Sequence, residues 1–209
     1  MKYGLKKAIM RLGPTGFTFE TFFSQILQNH GYTTKLREKR KGACVAHEID
    51  IIAEQDANGI PIRTLIECKY HNASGIFTGL KEALYTYARF LDLNEGHSLG
   101  LCEHYNSVWL VTNTKCSEDA QTYCHCRKIR LLGWSYPQGK GLEKMIESKG
   151  LYPVTILESI SPRILSRFAQ AELTLLKDLT SIHLKDLQKR TRLSYHLLDK
   201  IKNEATLIA

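Results

Sequence analysis

Apolar positions along this chain follow two rhythms. In "GPTGFTFETFFSQILQNHGY", Gly13 to Tyr32, the residues Phe19, Phe22, Phe23, Ile26 and Leu27 recur at three- and four-residue spacing. That spacing predicts a helix closed by Gly31, entered from a loop punctuated by Gly13, Pro14 and Gly16. The stretch "HEIDIIAEQDANGIPIRTLIECKY", His47 to Tyr70, is dominated instead by Ile and Leu runs around Asn58-Gly59. It predicts two strands joined by a tight hairpin, because Asn and Gly both tolerate positive φ. "SGIFTGLKEALYTYARFLDL" predicts a helix with Leu80, Leu84, Tyr87 and Leu91 along one stripe, and "SVWLVTNT" a buried strand. "SEDAQTYCHCRK" predicts a helix with Ser117 as N-cap and acidic residues in its first turn. "IRLLGW" reads as a short strand and "GLEKMIESKG" as a short helix ended by Gly150.

After about Leu151 the strand signal stops, and Leu at i, i+3 or i+4 predicts three or four short helices. The expected architecture is α/β. Residues 1–150 form a mixed central sheet flanked by helices, and residues 151–209 a small all-helical domain. Between the first helix and the hairpin, "TTKLREKRKGACVA" carries Lys35, Arg37, Lys39, Arg40 and Lys41 against Glu38, and is taken as a basic loop.

The chain has 209 residues, 43% of them hydrophobic, enough for a real core. No run nears the ~18 apolar residues needed to span a bilayer, and "MKYGLKKAIM" lacks the apolar segment of a signal peptide. The expectation is a cytoplasmic protein with no membrane partner. A formal net charge of +8 favours a polyanionic partner, nucleic acid before membrane. Six cysteines are expected to be free thiols. "CHC", Cys124 to Cys126, invites zinc, but residues two apart on a helix point away from each other and no CxxC pair exists.

Chemistry enters with the hairpin. A turn centred on Asn58-Gly59 places Asp50 opposite Glu67 and Glu48 opposite Lys69. Strand alternation then puts all four charges on one face, with Ile49, Ile51, Ile66 and Cys68 on the other. Ile52 faces Leu65, so nearer the turn the charged face becomes apolar again. Opposed carboxylates repel, and burial raises that cost. Protonation, a cationic neighbour or a bound metal would offset it. A hard divalent ion between Asp50 and Glu67, with the backbone carbonyl of Cys68 as third ligand, suits Mg²⁺, with Mn²⁺ as a substitute. Such an ion polarises a phosphate oxygen, and Lys69 would position or deprotonate water or offset developing charge. A surface hairpin with ordinary cross-strand ion pairs is the plainer alternative.

"HEIDIIAEQ…LIECKY" resembles the D…ExK signature of the PD-(D/E)xK, or restriction-endonuclease-like, superfamily. Asp50 stands at the Asp, and Glu67-Cys68-Lys69 at the E-x-K. "GFTFETFFSQILQNHGY", "WLVTNTKCSEDAQTY" and "IRLLGWSYP" further resemble Mrr-type restriction endonucleases and related resolvases, over roughly residues 13–137. The resemblance implies a restriction-endonuclease-like fold and Mg²⁺-dependent DNA cleavage. It also implies an accessory acid from the first helix at Glu20, catalytic and metal-supporting. Members often have Gln where this chain has Glu67. Relatives often carry an upstream nucleotide-binding ATP-cone domain. Residues 1–12 resemble at most the linker after one, so nucleotide regulation is not expected.

Lys39, Arg40, Lys41, His71 and Asn72 are candidate phosphate contacts. Glu48 is a candidate structural partner of Lys69. Tyr85, Tyr87 and Arg89 read as packing and surface. "LKDLTSIHLKDLQKRTRLSYHLLDKI" resembles helix-hairpin-helix modules. Its turn "RTRLS" lacks the usual glycines, leaving Arg190 and Arg192 as DNA contacts, with a protein-binding role close behind. The expected function is a metal-dependent DNA endonuclease, in a restriction or DNA-processing role. The alternatives are a catalytically silent DNA- or protein-binding module, a Holliday-junction or structure-specific nuclease, and an RNA-directed nuclease. Cleavage of both strands would call for a homodimer.

Overall fold

The computed structural model describes residues 2–13 and 16–208, so Pro14 of the punctuated loop lies outside the described residues. Helix α1 (Lys2–Met10) precedes α2 (Gly16–Asn29). Residues 1–12 were expected to be a linker, yet Leu5, Ile9 and Leu12 are buried in the core. Their spacing of four and three gives α1 one apolar face, and that face packs against the sheet's own helices. All five predicted apolar positions of α2 are fully buried. Gly31, at φ 89, ends α2, where a side chain would be strained.

Strands β1 (Thr33–Lys41), β2 (Ala46–Ala57) and β3 (Ile60–Lys69) run antiparallel, and the basic segment taken as a loop is therefore an edge strand. It escapes the hydrophobic pattern because an edge strand needs few core side chains and charge protects it from further pairing. Asn58 (φ 58) and Gly59 (φ 84) form the hairpin bend, and the pairing Ile51↔Ile66 matches the expected register.

Next come β4 (Phe77–Thr78), α3 (Leu80–Ser98), β5 (Ser107–Thr112), β6 (Lys115–Cys116), α4 (Glu118–Cys126), β7 (Arg130–Leu132) and α5 (Leu142–Glu147). The main sheet has the order β1-β2-β3-β5-β7, with β5 and β7 parallel to β3, and β4 and β6 form a separate two-stranded sheet. Ser117 caps α4 by accepting the Ala120 N–H at 3.2 Å. Cys124 is buried and Cys126 exposed, and all six cysteines are free thiols.

One apolar cluster lies between the sheet and α1, α2 and α5, and a second between the sheet and α3 and α4. The face of α3 that packs is not the predicted one. Leu84 and Leu91 are 45% and 50% exposed, while Ala83, Thr86, Arg89, Leu93 and Gly96 are buried. Small and polar residues hold that face because it covers the charged end of β3, so the leucine spacing misled.

Helices α6 (Pro162–Gln170), α7 (Leu176–Ser181), α8 (Leu184–Thr191) and α9 (Tyr195–Ile208) enclose a third cluster running from Val154 to Ala205. They touch the first layer: Arg11 donates to the carbonyls of Thr155 and Ile160, and Gln25 to that of Glu172. Among the described residues no helix is long and apolar enough to cross a membrane.

Candidate active site

The two strands of the hairpin part company where the charges begin. The β2–β3 ladder ends at Ile51↔Ile66, while β3 continues beside β5 through Glu67, Cys68 and Lys69. In the opening, the Cys68 N–H donates to Asp50 Oδ2 at 2.8 Å. A side chain thus replaces a ladder bond, satisfying a donor that would otherwise be buried alone.

Strand alternation breaks at the same point. Ile49 packs with Ile52 and Leu65 on the α3 side, whereas Ile51 packs with Ile66 and Cys68 on the α2 side. The four charges therefore do not form one row on one face, as regular alternation predicted. Across the sheet, Leu36 pairs with Ile51 and Glu38 with Ile49, leaving Arg37 beside Asp50 at φ 52. A left-handed arginine in a strand is strained, and such strain collects at functional sites. Glu48 is exposed and makes no salt bridge to Lys69 among the described residues, which corrects that expected pairing.

Three carboxyls surround the opening. Burial, then the charge of Asp50, pushes Glu67 up to about 7, against the pull of Arg89 and Lys69. Burial likewise pushes Glu20 up to about 7, with Asp50 adding to the rise and Arg37 opposing it. Asp50 is raised by burial despite the Cys68 N–H and the charges of Arg89 and Lys69. Burial is the largest cause of all three rises, three acids meet three cations here (Arg37, Arg89 and Lys69), and the candidate donors are hard oxygens. That chemistry fits a divalent cation such as Mg²⁺.

Glu20 is held by Arg37 at 3.3 Å. Among the described residues no three His, Cys, Asp or Glu side chains come together as a ligand group. Glu20 lies close enough for its charge to act on Glu67 and for that of Asp50 to act on it, so α2 brings the expected accessory acid to the opening. Asp50, Glu67 and the carbonyl of Cys68 remain as the candidate donors. Lys69, half-buried, makes no hydrogen bond or ion pair among the described residues, though its charge reaches Asp50 and Glu67.

Arg89 was missed by the sequence reading. It is 8% exposed, donates from Nη1 to Glu67 Oε2, and donates from Nη2 to the Tyr85 hydroxyl at 2.7 Å. Its signal was its place three residues from Thr86 and four from Leu93, on a face where Ala83, Thr86 and Gly96 leave room for a long polar side chain.

The candidate phosphate contacts divide. Lys39, Lys41, Asn72 and Arg192 are exposed. Arg40, a candidate phosphate contact, is engaged by Glu103 at 3.0 Å and Glu38 at 2.7 Å. His71 Nε2 meets Thr78 Oγ1 at 3.2 Å, and its backbone is held by Asn113. Arg190 donates to the Ala171 carbonyl at 2.6 Å, tying α8 to the end of α6.

Residues 13–135 match the Mrr_cat family model, described as restriction endonuclease. An uncharacterized protein of Archaeoglobus fulgidus is 46% identical over 158 residues, covering 76% of this chain and 83% of the relative. A crystal structure of a protein of unknown function superposes with a TM-score of 0.79 at 40% identity, covering 93% of this chain and 98% of that one.

Proposed function

Since the chain belongs to the Mrr_cat restriction endonuclease family, we propose that it is a metal-dependent endonuclease that hydrolyses DNA phosphodiester bonds at the opening between β2 and β3. One observation carries this reading. Asp50 accepts the Cys68 N–H in the opening, beside a Glu67 raised by burial and then by the Asp50 charge, and the Lys69 ammonium beside them has no internal partner among the described residues.

Asp50, Glu67 and the Cys68 carbonyl would hold Mg²⁺, or Mn²⁺ in its place. The bound ion supplies Lewis-acid polarisation of the phosphate and acidifies water. Lys69 orients the attacking water and offsets negative charge growing on the phosphate. The Cys68 N–H fixes the Asp50 carboxylate, so one donor is aimed before substrate arrives. Glu20 and Arg37 support Asp50 from the α2 side through their mutual bridge.

Lys39, Lys41, Asn72 and Arg192 are the proposed DNA backbone contacts. Residues 151–209 act as a separate DNA-engaging domain, a division supported by the third apolar cluster. Cutting both strands needs two such sites, so a homodimer belongs to the proposal.

The test incubates supercoiled plasmid with Mg²⁺ or Mn²⁺ and compares wild type with Lys69→Ala. Nicking by wild type that falls at least about a hundredfold in the variant supports the reading. DNA retention without cleavage by either protein would identify a binding module instead.

A further inference from the structure

Resting on the reading above, we propose that Arg89 is a resident counter-ion of the metal site: its guanidinium occupies Glu67 in the metal-free protein and must be displaced before a divalent cation binds, so that Arg89 sets the metal affinity.

The geometry carries the argument. Arg89 reaches Glu67 from α3, on the far side of the sheet from Glu20 and Arg37. Each of the three carboxyls has its own substitute for a cation. Glu20 has Arg37, Asp50 has the Cys68 N–H, and Glu67 has Arg89. Only the last occupies an oxygen of a proposed ligand with a full positive charge. A divalent ion and a guanidinium seeking the same carboxylate oxygen compete for it.

Arg89 is also built to leave. Its anchor away from Glu67 is the Tyr85 hydroxyl, with the guanidinium carbon 4.7 Å from the centre of that ring. Its buried Nε has no partner among the described residues. An arginine that belonged permanently in this position would be expected to satisfy more of its five donors. Tyr85 is 54% exposed, so the anchor lies toward solvent and marks a path away from Glu67.

The test is calorimetric titration of Mn²⁺ into DNA-free protein at pH 8.5. It compares wild type, Arg89→Gln and Arg89→Lys, with thermal melts recording folding. Arg89→Gln should bind Mn²⁺ roughly tenfold more tightly, the size of one charge-assisted hydrogen bond that no longer has to break. Arg89→Lys keeps the charge and should stay near wild type. Unchanged or weaker binding by Arg89→Gln overturns the proposal. Should that variant not fold, a wild-type crystal soaked with Mn²⁺ decides. Arg89 moved off Glu67 supports the inference, and Arg89 still bonded to Glu67 with the ion in place overturns it. If no protein takes up Mn²⁺ at Asp50 and Glu67, the metal-site reading falls and this inference with it. If metal binds and shifts as stated but no DNA is cut, only the nuclease reading fails.

Discussion

The Cys68 N–H donates to the Asp50 carboxylate at 2.8 Å in the place where β2 and β3 cease to pair. One carboxylate thereby serves two ends, closing a strand's hydrogen bonding and presenting a negative oxygen to the opening. The two roles separate by substitution. Asp50→Asn keeps a carbonyl to accept the N–H and removes a desolvated charge, so it should match or exceed wild-type stability in EDTA. Its cleavage should fall at least about a hundredfold. Asp50→Ala leaves the N–H without a partner and should cost about 1–3 kcal/mol in urea unfolding as well. Equal destabilisation by both variants would refute the two-role account.

The raised carboxyls make the metal-free protein pH-sensitive in a definite direction. Glu67 and Glu20 rise from 4.5 to about 7, so between those values the folded state binds more protons than the unfolded chain. Their contribution is full below 4.5 and is lost as pH climbs through about 7, with Asp50 adding in the same sense. His71, lowered by burial, opposes them but is one group against three. In EDTA the Tm should therefore fall from pH 5 to pH 8. Saturating Mg²⁺ should reduce or reverse that fall by stabilising the ionised acids. A melt series showing rising Tm over that range in EDTA would contradict the raised carboxyls at the site.

Two glycines decide how α3 sits on the β1–β2 connection. A Cβ on Gly96 would stand 2.8 Å from the Gly42 carbonyl carbon and 2.9 Å from the Ala43 nitrogen. Helix propensity alone predicts that Gly96→Ala stabilises by about 1 kcal/mol. The contact is with backbone, pinned nearby by Asp92, which accepts from Cys44 N at 2.8 Å and bonds His47 Nε2 at 2.7 Å. Overpacking against such a wall costs about 1–3 kcal/mol, so the expected sign is destabilising. Denaturant midpoints of wild type and Gly96→Ala check it.

What the sequence disclosed, and what it hid, follows from how local each feature is. The α2 stripe of Phe19, Phe22, Phe23, Ile26 and Leu27 and the Asn58-Gly59 bend depend on neighbours a few residues away, and both were legible. The pairing of Asp50 with Cys68 falls where β3 leaves β2 and stays paired with the parallel strand β5, a tertiary arrangement that no alternation rule contains. Strand β1 was hidden because its partner supplies the core while it supplies charge. Arg89 was hidden because burial of an arginine makes sense only once Glu67 is known to lie beneath it. The ExK spacing survived all of this, since Glu67 and Lys69 are two apart on one regular strand.

Arg190 and Arg192 stand two residues apart and should behave differently. Arg192 follows α8 at φ 56 and is exposed, with no side-chain hydrogen bond among the described residues. Arg192→Gly removes a cation while relieving a left-handed conformation that glycine adopts freely, so the Tm should hold or rise. If Arg192 contacts a DNA phosphate, binding should weaken and the slope of log affinity against log salt should drop by about 1. Arg190 instead ties α8 to the Ala171 carbonyl at 2.6 Å. Arg190→Ala should lower the Tm and leave the salt slope nearly unchanged. The measurement is fluorescence anisotropy of a labelled duplex in Ca²⁺ across a salt series, beside thermal melts. The opposite assignment, a slope change from Arg190 and none from Arg192, would move the DNA track off this turn and onto the α6–α8 side of the helical region.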